Sequence, residues 1–164
     1  MIMVNKEVLY NLKFIALIIS LVAVDLLSKS FAINSLPFGE SSSTLIPFVD
    51  LLLIYNSGIA FGIFDNSGTL ASNILLLVAF LILCYLIWMI IDEHETNKKY
   101  SLSIITAGAI GNIIDRASDG YVTDFLHLEI LNFSFFVFNL ADAFITIGAI
   151  LIIYFEIIYR PKND

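Results

Sequence analysis

The chain alternates long apolar stretches with shorter polar ones, and the length of the apolar stretches sets the class of protein. A helix needs about 20 predominantly apolar residues to cross the hydrocarbon of a bilayer. Four stretches approach that length, at 12–33, 70–91, 102–118 and 136–159. They predict a mainly α, integral membrane protein with four transmembrane helices, forming a single membrane domain over 1–164. The second and fourth are nearly free of charge. The first carries Asp25 and Lys29 in its second half, and the third is punctuated by Asn112, Asp115 and Arg116.

Two connectors are too long for simple turns. The first, 34–69, contains a β-prone run from Leu45 to Tyr55, with Pro47 restricting it to an edge or strand-start position. A small extracytoplasmic β element between helices 1 and 2 is expected there. Within it, Asn56-Ser57-Gly58 and Asn66-Ser67-Gly68 are turn signals that flank Ile59 to Phe64 and predict a hairpin-like piece. The second connector, 120–134, reads as an extracytoplasmic loop.

Composition strengthens the membrane reading, since 59% of residues are hydrophobic and the mean hydropathy is +0.93. The net charge of −7 does not decide orientation, because acidic residues contribute little to it. Lys and Arg do: Lys6, Lys13, Lys98, Lys99, Arg160 and Lys162 fall on one side of the four stretches, and Lys29 and Arg116 toward the other. Both termini are therefore expected to be cytoplasmic. The first stretch is expected to be a retained helix, because it runs into Asp25-Leu26-Leu27-Ser28-Lys29 without a small-x-small cleavage site. The lone Cys84 offers neither an intrachain disulfide nor metal-ligand spacing and reads as a lipid-facing or packing residue.

The polar residues that remain are costly at membrane depth and so point to chemistry. With this topology Asn112, Asp115 and Arg116 share one face near the outer end of the third helix, at i, i+3 and i+4. Asn139 and Asp142 share a face in the first turns of the fourth, and Asp124 lies in the connector just above. Asp124 and Asp142 can meet at the outer rim of the bilayer. Two carboxylates at close range cannot both ionise, so one holds a proton while the other is a base, which suits amide hydrolysis by water. Spacing alone would also let Asp115 pair with Asp142, although Arg116 and Asn112 beside it favour an ionised, site-orienting role. His94 and His127 fall in different compartments and support neither a metal pair nor a Ser-His-Asp arrangement.

Five ordered motifs carry a resemblance: Asp25-Leu-Leu-Ser-Lys29, Asn56-Ser-Gly-Ile-Ala-Phe-Gly62, Gly108-Ala-Ile-Gly-Asn-Ile-Ile-Asp-Arg116, Tyr121-Val-Thr-Asp-Phe125 and Phe138-Asn-Leu-Ala-Asp142. In order and spacing the sequence resembles the bacterial lipoprotein signal peptidases, signal peptidase II. The resemblance implies an intramembrane aspartyl endopeptidase that cleaves the signal peptide from diacylglyceryl-modified prolipoproteins on the amino side of the lipidated cysteine. It implies Asp124 and Asp142 as the catalytic pair. Asn56, Gly58, Asn112, Asp115, Arg116 and Asn139 are expected to bind substrate or orient the site, and Asp25 and Lys29 to form a structural helix pair. The expected partners are prolipoproteins and membrane lipids, with no nucleic acid, no cofactor and no metal, and the chain is expected to act as a monomer in the bacterial cytoplasmic membrane with its site near the outer leaflet. The resemblance also implies inhibition by the cyclic peptide globomycin. Three positions depart from the usual pattern: Leu26 for glutamine, Ile59 for a small residue and Thr123 for valine.

Two other classes would also place polar residues in spans. A small transporter should show polar groups along a path through the membrane, yet the inner halves of the second and fourth stretches are nearly clean apart from Glu156. A non-catalytic adaptor has no need of a carboxylate pair beside Asn112 and Arg116.

Overall fold

A computed structural model describes residues 6–58, 68–130 and 133–158. Among these residues four helices, α1 (Lys6–Ser35), α2 (Gly68–Asp92), α3 (Thr96–Asp119) and α4 (Leu140–Ile153, continued by a π-helical turn Tyr154–Ile158), carry a small sheet at one end. Among the described residues three helical segments are long and apolar enough to cross a membrane: Tyr10–Ser35, Leu70–Asp92 and Leu140–Ile157. Their large side chains face outward, as Leu27, Phe31, Leu77 and Ile91 do, which is the arrangement lipid rewards.

The more polar α3 is the packing partner of the other three helices. Its buried face is built from small and polar residues, among them Ser101, Ser103, Thr106, Ala107, Gly108 and Gly111. Small residues let backbones approach where burying apolar surface gives no drive for helices to associate. At Gly148 of α4 a Cβ would come within 2.5 Å of Ile105 and 2.8 Å of the Ser101 carbonyl. At Gly108 it would run into the Ala141 carbonyl. Close α3–α4 packing therefore depends on these two positions.

The helices alternate in direction. Away from the sheet, Tyr10 of α1 hydrogen-bonds Thr96 of α3 at 3.1 Å, and Lys98 of α3 pairs with Glu156 beyond α4. Cys84 is exposed on α2, as is His94 in the short connector between α2 and α3.

The sheet has four antiparallel strands in the order β1 (Ser41–Ser42), β2 (Val49–Asn56), β3 (Val122–Ile130), β4 (Phe133–Phe138). The β element expected in the first connector is present as β1 and β2. The second connector, expected to be a loop, supplies β3 and β4. A related correction concerns the fourth helix, which begins at Leu140 and not at Phe136, because Phe136 to Phe138 pair with β3. Aromatic and β-branched residues suit a pleated surface, and Asn139 then caps the helix. The hairpin-like piece expected at Ile59 to Phe64 lies outside the described residues, as do Arg160 and Lys162.

Packing fixes the sheet on the helices. Ala32 of α1, Leu53 of β2 and Phe125 of β3 form a buried cluster joined by Leu36, Leu51, Leu126 and Leu140. The turn from α3 into β3 runs through Gly120, whose φ of 91° is the left-handed conformation that ends helices. Its N–H bonds the Arg116 carbonyl at 2.9 Å, and its own carbonyl accepts the Ser72 hydroxyl of α2 at 2.7 Å.

Candidate active site

Strand β3 places Asp124 opposite Ile54 of β2, and the carboxylate is 1% exposed. Helix α4 starts at Asn139 with a reciprocal cap: the Asn139 side chain accepts the Asp142 N–H at 3.0 Å, and Asp142 Oδ2 accepts the Asn139 N–H at 3.2 Å. This is a capping box, so Asp142 is fixed by the geometry of the helix start itself.

Three asparagine amides tie the two carboxylates into one unit. Asn139 Nδ2 donates to Asp124 Oδ1 at 2.7 Å, and Asn56 Nδ2 donates to Asp124 Oδ2 at 2.9 Å. Asn112 Nδ2 donates to Asp142 Oδ1 at 2.8 Å. Asn139 therefore serves both acids, through its amide nitrogen on one and its oxygen and backbone on the other. Burial pushes the Asp124 carboxyl up to about 6, with the nearby Asp142 charge acting the same way and the two asparagine amides and Lys29 opposing.

Behind the pair lies a buried cation. Lys29 Nζ donates to Asn112 Oδ1 at 2.9 Å and forms ion pairs with Asp25 Oδ2 at 2.9 Å and Asp115 Oδ2 at 3.3 Å. Asp25, fully buried, also accepts the Ala141 N–H at 2.9 Å. The expected helix pair of Asp25 and Lys29 is thus present, and it reaches further than the i, i+4 spacing implies. By holding the oxygen of Asn112, Lys29 turns that amide so its nitrogen faces Asp142.

Asp115 is one residue from Arg116 in sequence, but its cation is Lys29. Neighbours on a helix point in different directions, so adjacency did not identify the partner. The other contacts of Asp115 are the Thr123 N–H at 2.7 Å and hydroxyl at 3.3 Å, on the residue before Asp124. Arg116 instead donates to the Ser57 carbonyl at 2.9 Å and the Asn56 carbonyl at 3.4 Å. It holds the turn that follows β2. That turn needs Gly58, where φ is 76° and a Cβ would meet Leu75 at 2.5 Å and Arg116 at 3.1 Å.

Asp124, Asp142, Asn56, Gly58, Asn112 and Arg116 line the polar end of a cavity of about 420 Å³ between α2, α3 and α4. Its remaining wall is apolar, with Leu75, Ala79, Ile82 and Leu86 from α2, Ile105 and Ile113 from α3, and Ile145 from α4. The sequence-expected site residues converge here, except that Asp115, Asn139, Asp25 and Lys29 stand behind the lining. The apolar wall and the Thr123 contact were missed, since both need a fold to bring them to the site. The alternation Val-Thr-Asp-Phe was the one available hint that Thr123 and Asp124 face opposite ways on a strand.

Apolar helices around a cavity with a carboxylate-and-amide end are the features of an integral membrane protein with a polar site set among its membrane helices. Residues 17–158 match the profile of the family described as signal peptidase (SPase) II. The chain is 36% identical over 152 residues to the lipoprotein signal peptidase of Rickettsia akari, covering 92% of this chain and 78% of that protein. It is 32% identical to that of Neisseria meningitidis over 98% of both chains. A solved bacterial membrane enzyme superposes with a TM-score of 0.79 at 28% identity, over 90% of this chain and 94% of that one. The chain belongs to the signal peptidase II family, and it is a membrane-embedded protease of lipoprotein processing.

Proposed function

We propose that this protein is an intramembrane aspartyl endopeptidase that cleaves diacylglyceryl-modified prolipoproteins on the amino side of the lipidated cysteine, with Asp124 and Asp142 as the catalytic pair. The observation that carries this reading is the single asparagine-linked unit in which both carboxylates face one cavity. In this reading Asp124, whose carboxyl burial raises, is the acid, and Asp142 is the base.

In the first step Asp142 takes a proton from water as the oxygen attacks the scissile carbonyl, and Asp124 gives its proton to the carbonyl oxygen. A tetrahedral diol results. In the second step one hydroxyl returns its proton to Asp124 as the carbonyl re-forms, Asp142 gives its proton to the cysteine nitrogen, and the C–N bond breaks. The pair ends as it began, with one proton on Asp124. Asn56, Asn112 and Asn139 hold the acids for both steps, and Asp115 orients the site by fixing the backbone of β3 next to Asp124.

The apolar wall of α2 suits the signal-peptide helix and the acyl chains, while the polar end receives the peptide bond. In this reading α3 is the fourth membrane helix, the sheet lies on the outer face of the cytoplasmic membrane, and both termini are cytoplasmic. The test is cleavage of a lipid-modified prolipoprotein by detergent-solubilised enzyme. Asp124→Asn and Asp142→Asn should each lower kcat by about 10²- to 10⁴-fold, the contribution of a positioned acid or base, with the protein still folded. Near-normal processing by either variant would remove that residue from the pair.

A further inference from the structure

On the sheet, outside the active site, two carboxylates and one imidazole lie together. His127 of β3 is 5% exposed. Its Nε2 lies 2.7 Å from the Ser134 hydroxyl of β4, while its Nδ1 is buried and has no hydrogen-bond partner among the described residues. Asp50 of β2 pairs with His127 in the sheet register, and Glu129 follows two residues along β3. One ligand atom from each of Asp50, His127 and Glu129 lies within 4.8 Å of the others, with Glu129 Oε2 3.9 Å from Nδ1.

We propose that Asp50, His127 and Glu129 form a divalent transition-metal site, with Zn²⁺ the best-fitting ion, independent of the peptidase reading. An orphaned nitrogen nearly out of reach of water is costly unless something accepts its lone pair or its proton. Here the Ser134 contact accounts for the other ring nitrogen. When Nε2–H donates to that hydroxyl, Nδ1 carries the lone pair, 3.9 Å from Glu129 Oε2. Metal-bound histidines are oriented in this way by a partner on the second nitrogen. Asp50 is likewise held, since its Oδ1 accepts the Thr44 N–H at 3.3 Å. One imidazole and two carboxylates neutralise a dication and match the N and O donors Zn²⁺ takes, leaving a fourth position for water. Mg²⁺ prefers an all-oxygen shell with several waters and fits less well. The ion would join β2 to β3, the strands that carry Asn56 and Asp124.

The experiment is titration of tag-free, chelator-treated full-length protein in detergent with Zn²⁺ alone, read by calorimetry and repeated with Co²⁺ by visible absorption. One equivalent should bind saturably to the wild type. Asp50→Asn and Glu129→Gln, both at partly exposed positions where an amide keeps the shape, should each weaken binding at least tenfold. Ser134→Ala should weaken it by about ten- to a hundredfold through loss of the ring's orienting partner, and His94→Ala should leave it unchanged. Absence of a saturable equivalent, equal affinity in wild type and both carboxylate variants, or loss of binding in His94→Ala would each overturn the site.

Discussion

The two acids of the cavity are held in unlike ways. Asp142 sits in the first turn of a helix, where its own backbone cap, the Asn139 N–H and one amide from α3 fix it. Asp124 sits on a strand, held by side chains from β2 and from the cap residue of α4. The helix-borne acid is positioned by local geometry, and the strand-borne one by residues that only the sheet brings near. Local geometry survives most distant changes, so the Asp124 half should be the more easily disturbed of the two.

The largest effect is expected at the cation behind both. Lys29 bonds Asn112 and pairs ionically with Asp25 and Asp115, and it is 2% exposed. Lys29→Met would leave buried acids without their cation, a loss of about 3–5 kcal/mol where one partner of a buried pair is removed. Unfolding in detergent micelles should show it as a large fall in the midpoint. An unchanged midpoint would mean that the network is not a stabilising unit.

Next come the amides, which separate the two halves. Removing a hydrogen bond to a charged group costs about 1.5–3 kcal/mol, roughly ten- to a hundredfold in kcat/KM if felt in the transition state. Asn56→Ala loosens Asp124 alone, and Asn112→Ala loosens Asp142 while also freeing one donor of Lys29. Asn139→Ala touches both acids and removes the helix cap, worth about a further 1 kcal/mol of stability. It should be the most damaging of the three in cleavage assays and the one that also lowers thermal stability. Equal effects of Asn56→Ala and Asn139→Ala on both readouts would break the idea of a shared residue.

The pH profile tests which half carries the proton. The folded carboxyl of Asp124 is raised to about 6 from the ordinary range, so its protonated form is lost as pH rises through that value. Since that form is the acid in the proposed mechanism, kcat/KM for the free enzyme should decline on the alkaline side of about 6. In the bound complex, substrate excludes more water and opposes ionisation further, so kcat should hold to higher pH. A kcat/KM flat from pH 5 to 8 would argue against Asp124 as the proton carrier.

The same contrast explains what the sequence could disclose. Helices α1 and α2 were legible because long apolar runs have few other readings, and the site residues were legible because Asn112, Asn139 and Asp142 are costly inside such runs. The sheet was only half legible. Phe133 to Phe138 is continuous in hydropathy with α4, and a short apolar run does not distinguish a strand from a helix. The signal that separates them is the Asn139-x-x-Asp142 cap, which marks the helix start after the run and not before it. Strand β3 was hidden for another reason: its partner β2 lies far away in sequence, and the Asn56 to Asp124 bond exists only once they pair.

The smallest effect is expected at the residue before Asp124. The Thr123 hydroxyl reaches Asp115 Oδ1 at 3.3 Å, while its N–H makes the shorter bond of 2.7 Å to the other oxygen. Valine has the same shape and keeps the backbone bond, so Thr123→Val removes only the longer contact. A net hydrogen bond is worth about 0.5–1.5 kcal/mol, and this long one belongs at the low end, a few-fold in kcat/KM at most. Asp115→Asn is the informative companion, because it weakens the Lys29 pairing together with both Thr123 contacts and should cost more than Thr123→Val while leaving measurable cleavage. If Asp115→Asn abolished turnover as completely as Asp124→Asn, Asp115 would belong to the reacting pair. The strand would then be positioned by some other group.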